Sequence, residues 1–161
     1  MENEFGDELG EVIIKELEHA RKLSSEDIAT AFLEHSSIVR LSDAFFDNFD
    51  LLITPAASVT PFKHELEYPS NIDDVTYEGY LDWVAISWGI TLTQCPSVVI
   101  NCGMDEFGMP FGIQVIARQN RDAFLLDAAH SIETAFLGSQ EFSRPTPNLK
   151  KLAAMKALTL T

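Results

Sequence analysis

A chain of 161 residues that is 46% hydrophobic, with 11 Phe, has the apolar mass to bury one core and is not composed like a disordered chain. Its net charge of −14, from 25 acidic against 11 basic residues, repels phosphate backbones and argues against a nucleic-acid partner. The longest apolar runs, such as Val98 to Ile100, are too short to span a bilayer, and the acidic start lacks the pattern of a secretory leader; a soluble, cytoplasmic chain with no membrane partner is expected.

The acidic excess gathers at the start, in Glu2, Glu4, Asp7, Glu8 and Glu11, where it complements a helix dipole and keeps that end solvated. From Asp7 to about Leu23, Leu9, Val12, Ile13, Leu17 and Ala20 recur at helical spacing. Ser24 with Asp27 makes a cap-like start for a second helix, weaker as a capping box than one with Glu or Gln. That helix carries Ile28, Phe32, Val39 and Phe46 and is expected to run to about Asn48. Asp50 to Pro55 reads as a short buried strand stopped by proline. Ala56 to about Val75, with Pro61, Pro69 and the run Asn71-Ile72-Asp73-Asp74, reads as a long loop.

Helical periodicity resumes from Tyr77 to Trp88, through Tyr80, Leu81 and Val84, with Gly89 placed to cap it. Ser97 to Asn101 is β-branched and strand-like, and Phe111 to Ala117 is its returning partner. The glycine-bracketed run Gly103 to Gly108 between them suits a reverse connection, and so short a connection calls for antiparallel pairing. Leu51 to Thr54 should add a further strand to the same sheet. Arg121 to about Leu137 is a helix with Leu125, Ala128, Ala129, Ile132 and Phe136 on one stripe. The tail from Gly138 loses its period until a short helix at Leu149 to Leu158. The whole is expected to be one domain, residues 1–161, of α/β class, a mixed sheet covered by helices on at least one face.

Cys95 and Cys102 flank one strand, roughly 20 Å apart at strand rise. A disulfide needs Cα atoms within about 7 Å, so both thiols should be reduced. His19, His35, His64 and His130 lack the close spacing of a zinc site, and neither a metal nor another cofactor is expected.

The most specific stretch is Gly108-Met109-Pro110-Phe111-Gly112-Ile113-Gln114, preceded by Thr93-Gln94-Cys95-Pro96-Ser97-Val98-Val99-Ile100-Asn101-Cys102-Gly103 and followed by Asp122 and Leu125-Leu126. Together these resemble the carboxy-terminal third of the amidase signature family, serine hydrolases that cleave carboxamide C–N bonds. The physical duties of Pro96, Gly103, Gly108, Pro110, Gly112 and Gln114 are structural. Gly108 permits a turn, Pro110 stiffens the start of a strand, and Gly112 allows another element to approach closely. Gln114 can bond a neighbouring backbone from within the core.

The resemblance implies the fold of that part of the family. It also implies a substrate pocket lined by the helix ahead of the motif, here by Val84, Trp88 and Thr91; as apolar periodic residues, Val84 and Trp88 serve equally as ordinary core. Thr91, Gln94 and Asn101 depart from the family's common Asn, Gly and Pro at those places.

The family's catalytic lysine and Gly/Ser-rich nucleophile segment have no match in this sequence. Ser24-Ser25 and Ser36-Ser37 stand in helical contexts without glycines, and Cys95 with His64 carries no local signature of a nucleophilic pair. The chain is therefore expected to be catalytically inactive alone. It reads either as the carboxy-terminal segment of an amidase-type hydrolase or as a free-standing binding domain derived from one. The partners to expect are a small amide, the missing amino-terminal half, and a second copy of the chain.

Overall fold

The computed structural model describes residues 9–77, 79–142 and 146–155. In chain order its elements are α1 (Glu11–Ala20), α2 (Ser25–Phe45), β1 (Leu51–Pro55), β2 (Asn71–Ile72), β3 (Val75–Thr76), α3 (Tyr80–Trp83), α4 (Ala85–Thr91), β4 (Ser97–Met104), β5 (Pro110–Ala117), α5 (Asp122–Leu137) and α6 (Leu149–Ala154).

The central layer is a three-stranded sheet in the order β1-β5-β4. Both pairings are antiparallel, with Ile53 opposite Val115 and Val98 opposite Val115. Strands alternate their side chains between faces, so this register sorts the sheet into two sides. Leu51, Val98, Ile100, Ile113, Val115 and Ala117 fall on one side and pack against Leu125, Ala129, Ile132 and Phe136 of α5. The other side carries Leu52, Gln114 and Ile116, over which lie Ile38, Leu41, Phe45 and Phe46 from the end of α2 and its cap. The architecture is thus α/β, with a wholly antiparallel three-stranded sheet where a mixed one was expected. Helices lie against both faces.

β4 and β5 meet around a bulge. Asn101 pairs with Gly112 and Gly103 with Phe111, which leaves Cys102 as the extra residue. Asn101 Oδ1 accepts the Gly103 backbone N–H at 3.1 Å, so the side chain braces the irregularity. Gly103 itself has φ +125 and lies beside the chain that follows α5. A Cβ there would meet the Glu141 carbonyl oxygen at 3.2 Å. β4 therefore runs on through Met104, three residues further than β-branching indicated, because the bulge lets it turn without breaking the ladder.

α2 begins as a complete capping box. The Ser24 hydroxyl accepts the Asp27 N–H at 3.1 Å, and the Asp27 carboxylate accepts the Ser24 N–H at 2.8 Å. The shorter aspartate closes the box that Glu or Gln usually closes, because the Ser24 hydroxyl also donates to it at 2.7 Å. These hydrogen bonds hold the Asp27 carboxyl below its usual range, the hydroxyl contributing most. A depressed folded-state value means stability present at neutral pH and lost as the pH falls below about 3.9 and on through the folded value. An NMR titration should find Asp27 ionising below an ordinary aspartate, and Ser24→Ala should return it upward.

At its far end α2 is tied to the sheet through Arg118, just past β5. The Arg118 guanidinium reaches Asp43 at 2.7 Å and Asp47 at 2.9 Å, and the two carboxylates raise its affinity for its proton. All three groups are partly exposed, so the pair fixes geometry more than it adds stability.

Three segments differ from the sequence expectation. The loop of residues 56–75 contains the small antiparallel hairpin β2–β3, turned at Asp73, whose φ is +50. The expected helix from Tyr77 to Trp88 starts at Tyr80, breaks at Val84 and continues to Thr91, with Gly89 inside α4 and no capping role. Side chains cause the break: the Ser58 hydroxyl takes the Trp83 carbonyl, and the Trp88 indole donates to the Leu81 carbonyl at 2.7 Å. The backbone turns over only at Gln94, which adopts φ +59 without being glycine and is bonded through its amide to Gln119 at 3.0 Å. α6 ends at Ala154; the expected continuation to Leu158 lies outside the described residues, as do Asp7 and the acidic residues before it.

Candidate functional site

β1, the turn after β4 and the break before α4 converge at one end of the sheet. Between them lies a cavity of about 640 Å³. Pro55, Ser58, Phe62, Trp83, Asp105 and Phe111 are among the residues that line it. A volume of this size suits a small ligand. The walls are mainly apolar and aromatic, with Phe62 and Trp83 edge to face at a centroid distance of 5.5 Å. Asp105 is the single charged residue among the lining.

Gln114 supports this end of the sheet. It is buried on β5, and its amide donates to the carbonyls of Pro55 at 3.2 Å and Ile86 at 2.8 Å. One side chain thereby ties the end of β1, on the cavity wall, to α4. Gly112 stands two residues earlier; a Cβ there would meet Val99 Cγ1 at 3.0 Å and the Ile100 carbonyl oxygen at 3.1 Å. Gly108, at φ +76, takes the left-handed turn conformation, and Pro110 opens β5. The Pro96 carbonyl accepts the Ala117 N–H at 3.2 Å and so extends the ladder past Ser97.

The three residues expected in a pocket are placed apart from this cavity. Val84 is the half-buried joint between α3 and α4; Trp88 is exposed on α4, with its indole turned onto Leu81; and Thr91 is exposed at the end of α4, its hydroxyl donating to the Trp88 carbonyl. The cavity takes Trp83 instead, and the loop serine Ser58 with it. Helical periodicity pointed to Val84 and Trp88 because it assumes one continuous helix, and the break at Val84 rotates the faces. The long proline-rich loop was the one signal in the sequence for Ser58 and Phe62.

The described serines and cysteines form no nucleophilic set. Ser36 and Ser37 donate to carbonyls of the preceding turn, Phe32 and Leu33, at 2.8 and 3.2 Å. Both thiols are free, and Cys95 lies 3.3 Å from the Ser42 hydroxyl. Among the described residues no three His, Cys, Asp or Glu side chains gather where a metal ion would sit, and no helix is long and apolar enough to cross a membrane.

A family model described as amidase matches residues 1–126. The chain belongs to the amidase family. An acylamidase of Rhodococcus erythropolis is 26% identical over 133 residues, covering 82% of this chain and 28% of that protein. A glutamyl-tRNA(Gln) amidotransferase subunit from Synechococcus sp. strain WH7803 is 32% identical over 93 residues, 58% of this chain and 18% of its own length. Among solved structures, a bacterial aryl acylamidase of the amidase signature family superposes with a TM-score of 0.73 at 21% identity, over 86% of this chain and 29% of that one. 6-Aminohexanoate cyclic dimer hydrolase superposes with a TM-score of 0.65 over 80% of this chain and 28% of that one, at 23% identity. The amidase fold of these structures is therefore shared by this chain, which spans 18–28% of the length of these two curated relatives.

Proposed function

We propose that this chain is the non-catalytic carboxy-terminal part of an amidase-type hydrolase that cleaves carboxamide C–N bonds, and that it does not hydrolyse amides alone. The observation that carries the reading is the family match over residues 1–126 beside relatives matched over 28% and 18% of their lengths. Amide hydrolysis needs an activated nucleophile, a base and donors for the oxyanion. The resemblance puts these in an amino-terminal lysine and a Gly/Ser-rich segment, and the partner of this chain is then an amino-terminal amidase half. In the complete domain Val84, Trp88 and Thr91 on and beside α4 line the substrate pocket. A small acyl or aryl amide is the substrate class, by likeness to the acylamidase relatives, and the cytoplasm is the place of work. A second copy of the chain is the alternative partner, since exposed apolar side chains such as Phe32 and Leu33 on α2 favour association.

The test is turnover of a panel of aliphatic and aromatic carboxamides by the purified chain. No turnover above background is expected. Hydrolysis that disappears in Cys95→Ala or Ser36→Ala would overturn the division of labour. The free-standing binding domain is the second reading, favoured by the fact that the 640 Å³ cavity is assembled by this chain's own residues.

A further inference from the structure

Among the described residues, two side-chain polar atoms are buried without any hydrogen-bond partner: Trp83 Nε1 and Asp105 Oδ2. Both belong to residues lining the same cavity. Buried polar groups are almost always paired, so two orphans at one site call for a common explanation. One is a donor without an acceptor, the other an acceptor without a donor.

Asp105 has a structural duty that explains only half of its carboxylate. Its Oδ1 accepts the N–H groups of Phe107 at 2.9 Å and Met109 at 2.8 Å and so forms the β4–β5 turn. Those bonds orient the group and leave Oδ2 free for another donor. Trp83 is likewise held from outside its ring, by Ser58 at its carbonyl and by Phe62 against its edge. The orphan atoms belong to fixed side chains. Their state in the free protein is a cost that a fitting ligand removes.

We infer that the cavity binds a neutral aromatic carboxamide, with Trp83 Nε1–H donating to the amide carbonyl and Asp105 Oδ2 accepting the amide N–H, while Phe62 and Phe111 enclose the ring. Of simple neutral groups, an amide carries both the acceptor and the donor that the pair lacks. With Asp105 as the sole charged lining residue and no cation beside it, a ligand bearing a carboxylate is disfavoured. Asp105 and Trp83 are then specificity-determining residues. The inference rests on the reading of the chain as part of an amidase and adds where and how the amide is recognised.

The experiment titrates the whole chain with acetanilide, N-methylacetanilide, which lacks the N–H, and N-methylaniline, which lacks the carbonyl. The readout is the indole N–H resonances in ¹H–¹⁵N NMR, assigned with Trp88→Phe. Acetanilide should shift the Trp83 indole resonance saturably and leave that of Trp88 in place, because the latter is already bonded to Leu81. N-methylacetanilide should bind at least about tenfold more weakly, as expected for losing a hydrogen bond to a charged acceptor. That gap should close in Asp105→Asn, which keeps Oδ1 for the turn and replaces the second oxygen by a donor. Trp83→Phe should bind acetanilide no better than N-methylaniline. A Trp83 indole that ignores acetanilide, or equal binding of acetanilide and its N-methyl form by the unmodified chain, overturns the inference without requiring any variant to fold. Either result leaves the division of labour standing, whereas turnover by the chain alone sinks that division and not the binding mode.

Discussion

Leu125→Ala is expected to lower the stability of the chain by about 2–5 kcal/mol, the range for truncating a buried leucine in a packed core. Leu125 is 3% exposed and sits in the central cluster with Ile100, Val115, Ala117 and Ala129. α5 is the helix that packs against this face of the sheet, so the side chain has no neighbour able to refill its volume without moving the helix. For a chain of this size a loss of that order lowers the melting temperature by on the order of 10 °C. Leu126, next in sequence and 63% exposed, is the control, and Leu126→Ala should change stability by no more than about 0.5 kcal/mol. Chemical denaturation of both variants checks the pair of expectations. Equal effects would mean that α5 is not seated on the sheet as described.

The second large effect belongs to Gln114→Leu. The shape is nearly kept, but the carbonyls of Pro55 and Ile86 lose their shared donor inside the protein. Each buried acceptor left unpaired costs about 1–3 kcal/mol, which gives a loss of about 2–4 kcal/mol for the pair. The consequence is local as well as global. β1's end and α4 are joined through this side chain, so amide hydrogens around Ile86 and the cavity should exchange faster even where the variant remains folded. Gln114→Glu should be worse than Gln114→Leu, because it replaces the donor by an acceptor that faces two carbonyls and carries a charge into a buried place. Hydrogen exchange with chemical denaturation measures both. A Gln114→Leu variant as stable as the parent would remove the bridging role.

Local patterns determined much of this protein. Serine and aspartate three apart announced the start of α2, since a cap is made by residues within one turn of each other. β-Branched runs on either side of a glycine-bracketed turn announced β4 and β5, and the short connection forced their antiparallel pairing. The run Gly108 to Gln114 identified the family because turn, strand start, close approach and buried amide follow one another on a single strand, where the order of residues is also their order in space. Tertiary structure alone decided the rest. The break at Val84 depends on Ser58, 25 residues away in the chain, whose hydroxyl withdraws the Trp83 carbonyl from the helix; no periodicity in residues 77–88 carries that information. The cavity follows from the break, since it is the break that brings Trp83, not Trp88, into the wall beside Asp105. An orphaned donor and an orphaned acceptor are absences of partners, and an absence exists only once the chain has folded and every neighbour has been placed.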